Sequence, residues 1–199
     1  MLSSFSAVRF LAWTDYRLAL LFAVFMPLTL LIWSWVSKAE AISLLMKIYW
    51  RVASLLAITV YLMIGGFSIG FVTALLAKIL IPLSLWFWAD LNEEIREQPK
   101  RSLTLGFKAW RWAMTAYCTL SAVLQLLYVR CAFSSTLLAG APCQAWLEPS
   151  LVFKDYFHGG LTRPFLGFWG LLGLAIYALY LGYFLLVRLG RQGRSALNQ

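Results

Sequence analysis

Residues 42–88 read ISLLMKIYWRVASLLAITVYLMIGGFSIGFVTALLAKILIPLSLWFW, with Lys47, Arg51 and Lys78 as the only charges. At 1.5 Å rise per residue the tract would reach roughly 70 Å as one helix, more than twice the hydrocarbon core of a bilayer. It must therefore turn back or leave the membrane. Gly65 and Gly66 near its middle, followed by Phe67, Ser68 and Gly70, suit a tight helical hairpin. That reading gives two spans, about 43–64 and 67–88. The alternative keeps one span of about 52–72 and lays 73–88 on the interface, with Lys78 at the headgroups and Gly66 and Gly70 forming a contact face. It leaves the uncharged run Ile79–Trp88 poorly buried.

Outside this tract, windows of spanning length fall at about 18–36, 109–128 and 165–187. The first and last are apolar without alternation, which speaks against a closed barrel. With 62% of its 199 residues apolar, the chain reads as a single integral membrane domain. The expected fold class is all-α, a polytopic transmembrane helical bundle of about five spans, or four plus an interfacial helix. Asp15 and Arg17 interrupt the N-terminal region before any apolar core, which does not fit a cleaved signal. Residues 1–16 show apolar positions at helical spacing and are expected to lie as a short interfacial helix.

The net charge of +9 comes from cations spread over loops and helix ends, not from one stripe interleaved with aromatics. No nucleic-acid partner is expected, and the first partner is the lipid bilayer. Arg96, Lys100, Arg101 and Lys108 in the segment 89–108, near Arg111, mark a cytoplasmic side together with Arg188, Arg191 and Arg194. The C-terminus is then cytoplasmic, and the outer loop 129–163 is lumenal or periplasmic. Five spans put the N-terminus outside and four put it inside. Trp33, Trp35, Trp86, Trp88, Trp110 and Trp112 fall at the inner interface, Trp13 and Trp169 near the outer one.

Cys131 and Cys143 share the outer loop and are expected to form a disulfide, while Cys118 lies within a span. Asp90, Glu93, Glu94 and Glu97 follow the third span and form a candidate docking surface for a partner protein. Lys78 is a charge within the membrane, and no carboxylate in any span is available to pair with it. Lys47 and Arg51, one turn apart, suit a lipid headgroup. In the last span Gly167, Gly170 and Gly173 recur at threes, Ala178 and Gly182 form a small-residue pair, and all five are expected to pack against a helix. Tyr177, Tyr180 and Tyr183 form a second face of that span, and His158 reads as a surface residue. No P-loop, nucleophile elbow, zinc signature or Ser/His/Asp arrangement appears, so no catalytic residue, metal or cofactor is expected.

At Trp50-Arg-Val-Ala-Ser-Leu-Leu-Ala-Ile-Thr-Val-Tyr, Ser84-Leu-Trp-Phe-Trp-Ala-Asp-Leu-Asn-Glu-Glu-Ile and Leu186-Val-Arg-Leu-Gly-Arg-Gln-Gly-Arg-Ser, the chain resembles a cyanobacterial family of small polytopic membrane proteins of unknown function. The likeness runs nearly the whole length. It implies a thylakoid or plasma membrane and a link to photosynthetic complexes. The expected function is a non-enzymatic auxiliary or assembly protein of a larger membrane complex. The alternative is a small transporter or channel subunit with Lys78 on its pathway.

Overall fold

A computed structural model describes residues 2–99, 101–188 and 195–196. Lys100, Arg191 and Arg194, read above as inner-surface cations, lie outside the described residues. Those described form helices and turns with no strand. Among the described residues five helical rods are long and apolar enough to cross a bilayer, making the chain an all-α polytopic membrane bundle.

The first rod corrects the sequence reading. Instead of an interfacial helix over 1–16 and a span over 18–36, one continuous helix runs through α1 (Leu2–Ala19), a π-helical stretch (Leu20–Phe25) and α2 (Met26–Val36). Asp15 and Arg17 lower the apolarity of this segment but do not stop a helix. The π-helical stretch has a local cause in Pro27, which lacks the N–H that would bond the Ala23 carbonyl. The Met26 N–H reaches back to Leu21, so the Phe22 carbonyl is also freed. Other helices satisfy both groups: the Tyr49 hydroxyl donates to Ala23 at 2.8 Å and the Trp110 indole to Phe22 at 2.9 Å.

The decisive tract folds as the hairpin α3 (Glu40–Ile64) and α4 (Ile69–Trp86). Gly66 takes φ +74° at the turn, where only glycine avoids a steric penalty. α4 packs along α3 as a full helix, so residues 73–88 do not lie on an interface.

The segment 89–108 is mostly helical. α5 (Ala89–Glu97) buries Leu91 and Ile95 beside α3, and α6 (Ser102–Tyr128) begins well before residue 109, burying Leu103 and Phe107. Trp88 and Trp110 are buried in the same cluster, not spread on an interface, whereas Trp33, Trp35 and Trp112 are exposed.

The expected outer loop 129–163 is also largely helical. A 3-10 turn (Val129–Ala132) and α7 (Ser135–Leu138) lead into α8 (Ala141–Phe157). α8 packs on α1 and α3 and buries Cys143, Trp146 and Leu147. Glu148, Lys154 and Asp155 make it too polar to register as a span, yet one face is apolar enough to bury.

The last rod, α9 (Arg163–Tyr183), continues as a π-helical stretch (Phe184–Arg188) and packs on α3. A Cβ at Gly167 would sit 2.8 Å from the Gly65 Cα, one at Gly170 would sit 2.9 Å from the Leu62 nitrogen, and one at Gly173 would sit 3.2 Å from Ile58. These three glycines permit the close approach. Ala178 and Gly182 do not share the role: Ala178 is exposed, and nothing lies within 4 Å of a Cβ at Gly182.

Candidate functional site

Lys78 stands at the midpoint of α4 with its side chain 5% exposed. Contrary to the expectation that no span carries a carboxylate for it, its ammonium donates to Asp15 at 2.8 Å. The extended first helix brings Asp15 into the bundle. Gln125 of α6 is the second acceptor, its Oε1 at 3.0 Å. The other Asp15 oxygen accepts the Tyr117 hydroxyl at 3.1 Å and the Ser121 hydroxyl. The Trp146 ring of α8 lies 5.7 Å from the ammonium.

Four helices thus converge on one neutral cluster. Compensation matters because an isolated charge in a low-dielectric interior is strongly penalised, while a pair with its remaining hydrogen bonds satisfied is not. The sequence carried a signal for the α6 contribution: Tyr117, Ser121 and Gln125 recur at four-residue steps and so share one helix face. Reading the span for apolar windows alone passed over that polar stripe.

Beside the cluster is a cavity. α1 leans on α8 while α2 packs on α3. Between α1 and α3 remains a cleft of about 470 Å³, whose lining includes Asp15, Lys78, Gln125 and Trp146. Small residues on both walls, Ala19 and Ala23 facing Ala53 and Ala57, leave the space unfilled. An apolar concavity with a few convergent polar groups has the anatomy of a small-molecule site.

The structure distributes the other candidates differently. Cys131 and Cys143 form a disulfide with Cα atoms 6.0 Å apart. It ties the end of α6 to the start of α8, one turn before Trp146. Cys118 is a buried free thiol.

Of the acidic residues, Asp90 is engaged internally: its Oδ2 accepts the Ser195 hydroxyl at 3.0 Å and the Ala196 N–H at 2.6 Å. That corrects its place on a docking surface, because Ser195 and Ala196 already occupy its carboxylate. Glu93 sits 3.7 Å from Arg96, and Glu94 and Glu97 are exposed.

Lys47 and Arg51 are both exposed, and Arg51 lies 3.4 Å from the Tyr180 hydroxyl beside a second cavity of about 360 Å³ between α3, α4 and α9. Tyr177 donates to the Val52 carbonyl at 3.4 Å, while Tyr183 is exposed. His158 is not a free surface residue: its Nε2 lies 3.3 Å from the Tyr61 hydroxyl. Arg111, grouped above with the inner cations, is buried over the Trp86 ring at 4.0 Å and donates to Asn92.

Residues 9–197 match the family described as "Protein of unknown function (DUF3177)", and the chain belongs to that family. No curated protein and no solved structure matches it.

Proposed function

We propose that this chain is a non-enzymatic auxiliary membrane protein that holds an amphiphilic small molecule between α1 and α3 as part of a larger membrane complex. The observation that carries this reading is the buried Asp15–Lys78 pair in the wall of an unfilled cleft. An ion pair that merely fastened helices together would be served better by a filled core, since empty space beside it forfeits packing. The pair, already neutral, offers an electrostatically balanced polar end without an acid or base held free for chemistry.

The resemblance to a cyanobacterial family supports a thylakoid or plasma membrane, and a photosynthetic complex as the partner. The cations after α4 support an inner, cytoplasmic side for α5 and the C-terminus, with α8 lumenal or periplasmic. The face of α9 turned away from α3, with Phe168, Ile176 and Leu179 exposed, supports a partner within the bilayer. Purification of the tagged chain from native membranes in mild detergent tests both parts. A lipophilic molecule bound one-to-one in native mass spectra, with a membrane complex co-eluting, is the expected result. An empty chain that elutes alone would sink the proposal.

A second reading is a small transporter or channel subunit. Its support is the line of Lys78, Asp15, Ser121 and Tyr117 at mid-span, a composition common along proton and solute pathways. The neutral double variant Asp15→Asn/Lys78→Gln in reconstituted vesicles tests it. Loss of flux would favour transport, and flux equal to that of the native chain would remove this reading.

A further inference from the structure

We infer that the cleft between α1 and α3 takes a molecule that presents hydrogen-bond-accepting carbonyl oxygens on an otherwise apolar body. Membrane quinones and the ester groups of acyl lipids share this chemistry. The inference rests on the reading of the cleft as a binding site and adds the class of ligand.

Its basis is a one-sided excess of donors. Gln125 Nε2, Trp146 Nε1 and Trp50 Nε1 are buried without a hydrogen-bond partner, and all three residues line the cleft. Gln125 is 1% and Trp146 6% exposed. The orientation of the Gln125 amide follows from its neighbour: a lysine ammonium only donates, so Gln125 must turn Oε1 toward Lys78 and leave its NH₂ unpaired. An indole N–H can only donate as well. The acceptors nearby are already used. Asp15 serves Lys78, Tyr117 and Ser121, and the Thr59 oxygen lies 2.8 Å from the Thr73 hydroxyl while its proton goes to the Leu55 carbonyl at 2.7 Å.

Hydrocarbon chains cannot satisfy such donors, and each one left bare carries a desolvation penalty. A cation would meet donors with like polarity. A carbonyl oxygen pairs with them and needs no donor in return, while the alanine-lined walls accommodate its apolar body.

The test uses the full chain in detergent micelles with three probes: decyl-benzoquinone, a diacylglycerol, and decylbenzene as the carbonyl-free control. Affinities are compared for the native chain, Trp50→Phe, Trp146→Phe and the double variant, which remove the N–H groups along with part of each indole, so the readout is the loss for a carbonyl probe beyond the loss for decylbenzene. At least one carbonyl probe is expected to bind ten or more times tighter than decylbenzene. Each single change is expected to weaken that probe about two- to tenfold, the worth of one hydrogen bond. The smaller ring lowers the Tm of each variant through lost packing, so a purely structural role would weaken decylbenzene and the carbonyl probes alike, whereas lost hydrogen bonds weaken only the carbonyl probes. Preference for the quinone or for the ester identifies the source.

Decylbenzene binding as tightly as the carbonyl probes would leave the cleft as a site and overturn the inference. Unchanged affinity in the double variant would do the same. Failure of all three probes to bind would remove the binding reading itself.

Discussion

Lys78 donates to Asp15 across 2.8 Å, joining the middle of α4 to α1 inside the bundle. Either partner alone would be a buried charge without compensation. Lys78→Met or Asp15→Asn is therefore expected to destabilise by about 3–5 kcal/mol. The double variant should lose much less than the sum, since it removes both charges together. Unfolding titrations of the four chains in mixed micelles measure this coupling, and additive losses would show that the pair is not a unit.

The π-helical stretch of the first rod makes a second prediction. Tyr49→Phe removes the hydroxyl that occupies the Ala23 carbonyl and should cost about 1–3 kcal/mol. Adding Pro27→Ala returns a backbone N–H at the position where an ordinary helix would bond that carbonyl. The Tyr49 change should then be nearly silent. An equal loss in both backgrounds, read from the same titration, would mean the hydroxyl matters for another reason.

These two cases mark what was legible in the sequence. The existence of five spans was, because membrane crossing needs only length and apolarity, although the reach of the first rod back to Leu2 was not, and the α3–α4 turn was, because Gly65 and Gly66 break the tract where it must double back. Asp15 was not, since a charge counts against a span until its partner is known, and Lys78 lies in another helix. The same limitation hid α8: Glu148 reads as polar, but in the fold it pairs with Arg9 of α1. Asp90 looked like a free docking group because the group that occupies it is a backbone N–H more than a hundred residues away.

The Cys131–Cys143 disulfide closes a short loop with a sequence separation of 12. On the chain-entropy model such a loop stabilises by about 3 kcal/mol. Its local consequence is more telling, because the bridge anchors the start of α8. Reduction, or the double change to serine, is expected to speed hydrogen exchange over 141–157 while leaving the α3–α4 hairpin protected. Exchange in α8 that does not respond to reductant would show that Trp146 and Leu147 hold it unaided.

The attachment of α9 gives two substitutions with opposite signs. A Cβ at Gly167 would lie 2.8 Å from the Gly65 Cα, which is backbone and cannot rotate away. Gly167→Ala must push α9 off α3, and overpacking of this kind typically costs about 1–3 kcal/mol. At Gly182 nothing lies within 4 Å, so Gly182→Ala meets no clash. There the removal of glycine's excess freedom should stabilise by about 0.5–1 kcal/mol. Thermal unfolding of both variants in micelles checks the signs. If Gly167→Ala were as stable as the native chain, the contact of α9 with α3 would be loose, and α9 would depend on something outside this chain to hold its place. A falling Tm at Gly167 with a rising one at Gly182 would instead show that the close glycine contact fastens α9 to α3, leaving the exposed Ile176 and Leu179 face available to a partner.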